Sequence, residues 1–209
     1  MSTSSTLRRA RDIHRWDSET DILVVGLGCA GASTALEAVA AGAEVVVAER
    51  AGAGGGTSAN SGGVIYLGGG TPVQRDCGFE DTPEEMFKYL MAACGSHRDE
   101  AKIRAYADDS VAQYHWLVGH GVPFKAVFYP DYSGEPPTDD GLVYSGSENA
   151  YPFNQLAKPA PRGHDAESDH AIALGLGGRF QHRLAVDEAV ARRLGLVRGG
   201  LRAELAILR

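Results

Sequence analysis

The residues with the clearest chemical potential are three glycines and one glutamate. Gly26, Gly28 and Gly31 form a Gly-x-Gly-x-x-Gly motif, and Glu49 follows eighteen positions after the last of them. Glycines let a backbone approach a pyrophosphate closely, and a carboxylate at this spacing accepts hydrogen bonds from the two hydroxyls of a ribose. The pattern therefore predicts a dinucleotide site, and the negative charge of Glu49 disfavours the 2′-phosphate of NADP.

The three glycines have separate predicted roles. Gly26 permits a tight turn out of a strand, Gly28 lets the backbone approach the phosphates, and Gly31 lets a helix pack closely on the sheet. Cys29 and Ala30 begin that helix, where N–H groups without intrahelical partners and the positive end of the helix dipole favour phosphate. All five residues are predicted to bind the cofactor.

A βαβ unit must position these residues. Residues 21–25 are short, apolar and β-branched, which predicts a strand buried on both faces of a parallel sheet. Residues 30–41 are rich in alanine at helical spacing, Gly42 follows where a helix would stop, and residues 44–48 form a second apolar run. The sequence thus predicts an α/β, Rossmann-like fold. The alternative, a simple strand-to-helix turn with Glu49 on the surface, does not account for the whole pattern.

A second glycine-rich segment, residues 52–63, follows directly after Glu49 and Arg50. Its glycines allow close backbone approach and its hydroxyl groups can donate hydrogen bonds, so it can run along a pyrophosphate toward a flavin. This segment indicates FAD rather than NAD. A flexible linker is the alternative, but it explains the composition and not the position. The predicted cofactor-binding residues here are Arg50, Gly55, Gly56, Thr57, Ser58, Ser61, Gly62 and Gly63.

Three segments carry a family resemblance: GLGCAG at 26–31, Glu49-Arg50, and GGGTSANSGG at 54–63. They resemble the FAD-binding end of the fumarate reductase and succinate dehydrogenase flavoprotein superfamily. Residues 64–71 and 136–146 resemble the 3-ketosteroid dehydrogenases, most of all the Δ4-(5α) kind, and the resemblance as a whole runs from about Asp21 to His164.

The resemblance implies an FAD-dependent oxidoreductase acting on a CH–CH bond of a small molecule, with a steroid as the expected substrate. In such families a hydride passes to the flavin, and a side chain later in the chain removes the proton, so no catalytic residue is named here. Three alternatives remain. One is a fumarate- or urocanate-type reductase, the second is a non-catalytic nucleotide-binding fragment, and the third is an NAD-binding module.

Two helices are predicted in the middle of the chain. Residues 82–85, Thr-Pro-Glu-Glu, predict a helix start with a capping box, in which Thr82 and Glu85 bond to each other's backbone. A second helix is predicted from Asp99 to Val118. Its apolar stripe includes Tyr106 and Tyr114, which are expected in the core rather than in catalysis.

Composition limits the classes of partner and location. The chain has 209 residues and a net charge of −7, which argues against nucleic acid binding. No apolar run is long enough to span a membrane, and residues 1–19 lack the apolar stretch of a secretion signal. The three cysteines are unpatterned, which indicates a reducing, cytoplasmic setting, and no zinc or iron–sulfur spacing is present. The oligomeric state is not indicated.

Three regions follow: an N-terminal arm at 1–20, the N-terminal portion of an FAD-binding domain at 21–164, and a tail at 165–209. The tail has seven arginines, no lysine and no proline. It is either a natural variant ending or the translation of a shifted reading frame, and its composition, typical of GC-rich DNA, favours the second. Residues 184–194 have the spacing of an amphipathic helix.

If the frame has shifted, the FAD-binding domain is incomplete at its C-terminal side. The cap region and the segment that completes the FAD pocket in this superfamily are not recognisable in the tail. From this chain alone we expect weak FAD binding or none, and no turnover.

Overall fold

A computed structural model describes residues 13–14, 16, 19–52, 54–131 and 141–166, together with short strands at 185–186 and 205–208. The chain divides into two compact units. The first comprises residues 1–56 and 180–209, and the second comprises residues 57–179. The predicted region boundaries at residues 20 and 164 stay predictions.

The first unit contains the predicted βαβ segment: β1 (Ile22–Val25), α1 (Cys29–Ala40) and β2 (Val45–Ala48). β1 and β2 pair in parallel along all four residues. β2 also pairs antiparallel with β8 (Leu205–Leu208), and β8 pairs antiparallel with β7 (Ala185–Val186), which gives the order β1-β2-β8-β7. The α/β class and the parallel pair are confirmed, and the complete sheet is mixed.

Small residues set the packing of α1. Ala32, Ala35 and Ala38 recur on one side of the helix and are buried. Gly42 follows the helix with φ +89°, a conformation that other residues rarely adopt, and turns the chain toward β2. All four residues of β2 are buried. The strand that carries Glu49 at its end is therefore firmly held.

β1 is not buried on both faces, so this part of the prediction is wrong. Val24 is buried, but Leu23 is 57% exposed and Val25 is 81% exposed. Side chains alternate along a strand, so Leu23 and Val25 share the face opposite Val24. β1 stands at the end of the strand order, and β2 is its one partner among the described strands. An apolar, β-branched sequence indicates a strand but does not show what covers it.

The second unit combines a small sheet with helices. The described elements are β3 (Ile65–Tyr66), α2 (Pro72–Asp76), α3 (Pro83–Ala93), α4 (Glu100–Gly119), β4 (Phe128–Tyr129), β5 (Leu142–Val143), α5 (Phe153–Leu156) and β6 (Gly163–His164). Short 3-10 turns cover Gly56–Asn60 and Gly95–His97. The strands have the order β3-β6-β5-β4, in which β6 pairs antiparallel with both β3 and β5, and β4 pairs in parallel with β5.

The start of α3 has half of the predicted capping box. Thr82 Oγ1 accepts a hydrogen bond from the backbone N–H of Glu85 at 3.2 Å. The Glu85 carboxylate binds elsewhere: Oε1 accepts from Lys88 Nζ at 2.7 Å and Oε2 accepts from the Lys158 backbone N–H at 2.6 Å. Glu85 therefore ties the start of α3 to a segment seventy residues later instead of closing the box.

Helix α4 confirms the second predicted helix, and Asp99 caps it by accepting a hydrogen bond from the Lys102 N–H. Tyr114 lies in the core, as expected. Tyr106 is 43% exposed and donates its hydroxyl to the Tyr66 carbonyl oxygen, so its predicted core position is wrong. The buried core cluster comprises Leu67, Val73, Tyr114, Leu117, Val122, Leu142 and Ala166.

The predicted tail helix at 184–194 is wrong at Ala185 and Val186, which form strand β7. The rest of that segment lies outside the described residues, as do residues 136–140 of the steroid-dehydrogenase-like segment. In the described part of the chain, no helix combines the length and apolar character needed to cross a membrane.

Candidate functional site

The glycine turn of the first unit brings α1 directly against the end of β1. Gly26 has φ +99°, which favours glycine. A Cβ atom on Gly31 would overlap the Gly26 carbonyl oxygen and would lie 3.3 Å from Val24 Cγ1. No side chain caps the N-terminus of α1, and its first turn has no acidic residue. The positive end of the helix dipole is thus available to an anion.

Glu49 is held against this turn by two hydrogen bonds. Its Oε2 accepts from the Leu27 backbone N–H at 2.7 Å, and its Oε1 accepts from the Ala51 N–H at 2.8 Å. Partial burial acts to raise the pKa of Glu49, but backbone N–H groups, first of Ala51 and then of Leu27, outweigh it and lower the pKa. The carboxylate is therefore charged at neutral pH. Its two oxygens offer about four acceptor sites, more than the backbone N–H groups of Ala51, Leu27 and Arg50 occupy, so it can still accept from a ligand hydroxyl.

Leu27 is the residue that joins the parts of this site, and the sequence analysis did not single it out. Its N–H donates to Glu49, and its carbonyl oxygen accepts from the Gly55 N–H at 2.6 Å. A Cβ on Gly54 would lie 2.6 Å from Leu27 Cδ2, so a larger residue here would require the Leu27 side chain to shift. The one available signal was the position of Leu27 between the first two glycines of the motif.

The other predicted residues divide between the two units. In the first unit, Cys29 and Ala30 are exposed in the first turn of α1, and Arg50 is exposed after β2. Residues 57–63 belong to the second unit. There, Gly56–Asn60 form a 3-10 turn, and Ser61 Oγ accepts a hydrogen bond from the Gly63 N–H at 3.2 Å. The cofactor-binding roles of all the predicted residues in both units, Thr57, Ser58, Ser61, Gly62 and Gly63 included, stay predictions.

The region around the turn and Glu49 matches a known sequence family. Residues 21–201 match the FAD binding domain family. The chain belongs to this family. FAD is accordingly its cofactor, as the two glycine-rich segments predicted, and the match extends past His164, where the resemblance seen in the motifs ends.

Two of the proteins that resemble this chain are steroid dehydrogenases. The chain is 40% identical over 154 residues to the 3-oxo-5-alpha-steroid 4-dehydrogenase of Comamonas testosteroni, covering 72% of this chain and 28% of the relative. The crystal structure of 3-ketosteroid-Δ4-(5α)-dehydrogenase from Rhodococcus jostii RHA1, in complex with 4-androstene-3,17-dione, is similar with a TM-score of 0.77 and 48% identity. That match covers 81% of this chain and 37% of the Rhodococcus chain.

A flavocytochrome c3 fumarate reductase is also similar in structure. The TM-score is 0.57 and the identity 26%, over 84% of this chain and 25% of the reductase. The chain therefore spans between about a quarter and two fifths of the length of these three relatives.

The second unit contains a buried charged network that the sequence analysis missed. Arg162 Nε donates to Asp81 Oδ2 at 2.9 Å and Nη2 donates to Oδ1 at 2.7 Å, and both side chains are fully buried. Asp81 Oδ2 also accepts from the Gly69 N–H at 2.9 Å and from Gln74 Nε2 at 3.1 Å. Burial acts to lower the pKa of Arg162, but hydrogen bonding and charge attraction from Asp81 outweigh it and raise the pKa.

The glycines at 68–70 make room for this network. A Cβ on Gly68 would lie 2.8 Å from Asp81 Oδ2 and 2.9 Å from Arg162 Cδ. The Gly68 N–H donates to Ser110 Oγ at 2.8 Å. Part of the segment 64–71, which resembles the steroid dehydrogenases, thus holds together the interior of the second unit.

His164 lies beside the ion pair in a defined protonation state. Its Nδ1 is 3.1 Å from the Arg162 carbonyl oxygen, which can only accept, so Nδ1 carries the proton. Its Nε2 is 2.7 Å from Thr71 Oγ1 and therefore accepts the hydroxyl proton. Burial lowers the pKa of His164 to about 4. The imidazole is neutral at physiological pH.

The free energy of unfolding is expected to fall as the pH is lowered from about 6.5 to about 4. Over this range the unfolded chain binds a proton at residue 164 and the folded chain does not, so acid favours unfolding. The total loss in the free energy of unfolding that is due to His164 is about 3 kcal/mol. Burial raises the pKa of Glu148, so that this carboxyl group releases its proton on unfolding. Its effect on the free energy of unfolding is therefore opposite to that of His164: acid favours the folded chain.

Denaturant unfolding of the unchanged chain and of His164→Gln, from pH 4 to 7, measures the contribution of His164 to the free energy of unfolding. Comparison with this variant separates His164 from Glu148. The variant should lack the additional loss of stability in acid. If both proteins show the same pH dependence, the imidazole is not neutral and buried as described.

Proposed function

We propose that this chain forms the nucleotide-binding part of an FAD-dependent oxidoreductase that acts on a CH–CH bond of a 3-ketosteroid. The main support is the position of Glu49, whose ionised carboxylate is fixed against the glycine turn and can still accept a hydrogen bond from a ligand. This arrangement suits the ribose of the adenosine half of FAD. The steroid substrate is proposed from the names of the relatives described above.

Each part of the first unit has a role in the proposal. The turn from Gly26 to Gly31 and the N-terminus of α1 hold the pyrophosphate, and Glu49 accepts hydrogen bonds from the ribose hydroxyls. Arg50, Gly55 and Gly56, which end the first stretch of this unit, continue from the pyrophosphate toward the flavin. FAD, when bound, supplies the capacity to accept a hydride from carbon. No residue of this chain is assigned the removal of the proton.

We also propose, from its composition, that the tail at 165–209 is the product of a shifted reading frame. The test is to re-sequence the encoding DNA from codon 150 and translate all three frames past the stop. If another frame continues into a cap region, the restored protein should reduce an artificial electron acceptor in the presence of a 3-ketosteroid. If no frame continues, the tail is genuine and this part of the proposal fails.

A cytoplasmic location is proposed from cysteine usage alone.

The 209-residue chain should bind FAD no more than about threefold more tightly than ADP, because the adenosine and pyrophosphate contacts account for most of the binding. Isothermal titration with each ligand measures the two affinities, and flavin fluorescence shows whether the ring is enclosed. Stoichiometric, fluorescence-quenched FAD on the purified chain would contradict this prediction. Absence of ADP binding would contradict the proposed nucleotide site itself.

Glu49→Gln should weaken ADP binding by about 10- to 100-fold, since a hydrogen bond to a charged group contributes about 1.5–3 kcal/mol. The amide also replaces one acceptor of the turn by a donor. Glu37→Gln, on the exposed side of α1, makes the same change in charge within the same unit and should have little effect. Equal losses in both variants would indicate a general charge effect, and unchanged affinity in Glu49→Gln would exclude contact with the ribose.

A reductase of the fumarate type is the second candidate, favoured by the structural similarity to flavocytochrome c3 fumarate reductase. The two candidates differ in substrate and in direction. If it is a reductase of the fumarate type, the restored protein would reduce an unsaturated carboxylate with electrons from a reduced dye. If it is a steroid dehydrogenase, it would oxidise a 3-ketosteroid. Activity with the carboxylate alone would replace the steroid proposal.

A further inference from the structure

Leu27 uses both of its backbone groups to hold the segment that follows β2. Its N–H donates to Glu49 Oε2 at 2.7 Å, and its carbonyl oxygen accepts from the Gly55 N–H at 2.6 Å. Residues 49–55 thus form a closed loop, whose two ends are bonded to the same residue of the glycine turn. The first end is the predicted ribose-binding carboxylate, and the second is the start of the flavin-side segment.

The side chain of Leu27 packs against the second end of the closed loop. Leu27 is 6% exposed, and a Cβ on Gly54 would lie 2.6 Å from Leu27 Cδ2 and 2.8 Å from its Cγ. Gly55 is buried as well. The hydrogen bond between Gly55 and Leu27 is therefore shielded from water, and its N–H would lack a replacement partner if the loop opened.

The backbone around Leu27 has little torsional preference of its own, because both of its neighbours are glycines. Outside this pair the chain is anchored. The Gly26 N–H donates to the Ala48 carbonyl oxygen at 2.7 Å, and the Gly28 carbonyl oxygen accepts from the Ala32 N–H at 2.9 Å. The two peptide groups between these anchors are the ones that bond to Glu49 and Gly55. Their orientation therefore depends on the closed loop.

Glu49 is the stronger of the two partners. Its carboxylate is ionised, and a hydrogen bond to a charged acceptor is shorter and stronger than one between neutral groups. It fixes the peptide group on the N-terminal side of Leu27, and this limits the positions that the Leu27 carbonyl oxygen can take toward Gly55. The orientation of one peptide group is thus passed to the next through a single residue.

We propose that Leu27 is a positioning residue of the nucleotide site, which holds the ribose-binding carboxylate and the start of the flavin-side segment in one fixed arrangement. Glu49 then has two tasks: it accepts hydrogen bonds from the ligand, and it orients the segment that continues toward the flavin. An arrangement made before the ligand arrives lowers the entropic cost of binding. The ligand in this proposal rests on the proposed function, whereas the closed loop does not.

Hydrogen exchange of single amides, followed by NMR in the ligand-free 209-residue chain, tests the closed loop. Gly55 is bonded to Leu27 and not to Glu49, so a change at Glu49 should reach it through Leu27. In Glu49→Gln we expect the Gly55 amide to exchange at least about fivefold faster, while the amides of β2 change little. Glu37→Gln, on the exposed side of α1, should leave Gly55 unchanged.

Two results of this experiment would overturn the proposal. One is an unchanged exchange rate at Gly55 in Glu49→Gln, which would mean that the two ends of the closed loop move independently. The other is an equal acceleration at Gly55 and throughout β2, which would mean that the substitution only destabilises the first unit as a whole.

A double-mutant cycle on ADP binding tests the positioning role. Leu27→Ala keeps both backbone groups but removes the side chain that packs on Gly54. It should weaken ADP binding about fivefold in the unchanged chain and less than about twofold in Glu49→Gln, because residues that act through one another are not additive. Leu27→Met, of similar volume, should bind ADP as the unchanged chain does. Equal losses in both backgrounds would exclude action through Glu49.

Gly54→Ala supplies the same cycle if Leu27→Ala does not fold, since the added methyl group displaces the Leu27 side chain. If the unchanged chain does not bind ADP, the proposed function fails, and the exchange experiment alone decides whether Leu27 couples the two ends of the closed loop.

Discussion

Replacing Arg162 by methionine is expected to lower the free energy of unfolding of the second unit by about 3–5 kcal/mol. Methionine approximates the aliphatic part of the arginine side chain, so the main loss is the guanidinium. Asp81 would remain fully buried with a negative charge and without its two strongest hydrogen bonds. Chemical denaturation followed by circular dichroism measures the change.

Two further variants test the cause of this loss. Adding Asp81→Asn to Arg162→Met should restore part of the stability, because a neutral amide is less costly to bury than an unpaired carboxylate. Lys158→Met removes a salt bridge to Glu80 at 2.9 Å whose side chains are both exposed, and should change the stability far less than Arg162→Met. If the double variant is no more stable than Arg162→Met, the buried charge does not account for the loss.

Gly31→Ala should destabilise the first unit by about 3 kcal/mol and reduce ADP binding more than tenfold. The added methyl group would overlap the Gly26 carbonyl oxygen and crowd Val24. To accommodate it, α1 must move away from the end of β1, which changes the turn that is proposed to hold the pyrophosphate. Denaturation and isothermal titration of the same protein sample measure the two effects.

Gly119→Ala is the control for this substitution. Gly119 also lies in a helix, at the end of α4, and nothing lies within 4 Å of its Cβ position. Alanine has the higher helix propensity, so stability should be unchanged or slightly higher. Similar losses in both variants would mean that contact with Gly26 is not the reason for glycine at position 31.

The βαβ segment could be predicted because its signals are local. Strand β2, helix α1 and the stop at Gly42 each follow from residues within a few positions, and Glu49 follows from its distance to the motif. The role of Leu27 could not be predicted in this way. It depends on backbone N–H and carbonyl groups, which every residue except proline has, so the side chain gives no signal.

The buried network was not predictable because its members are distant in the sequence. Asp81 stands just before a helix, where an acidic residue normally serves at the N-terminus, and Arg162 follows a proline in an irregular segment. Neither residue shows by itself that the other is its partner. The exposure of Leu23 and Val25 was unpredictable for a related reason, since propensity does not identify neighbouring elements.

The pairing of β3 with β6 has a consequence for synthesis on the ribosome. Ile65 lies opposite His164, and β6 is the strand between β3 and β5 in the sheet. Helices α3 and α4 emerge well before β6, so a nascent chain contains them while the central strand of their unit is still missing. Closing so long a loop is slow compared with forming a helix. The partly made chain would thus expose the apolar sides of these helices to chaperones until residues 162–166 are available.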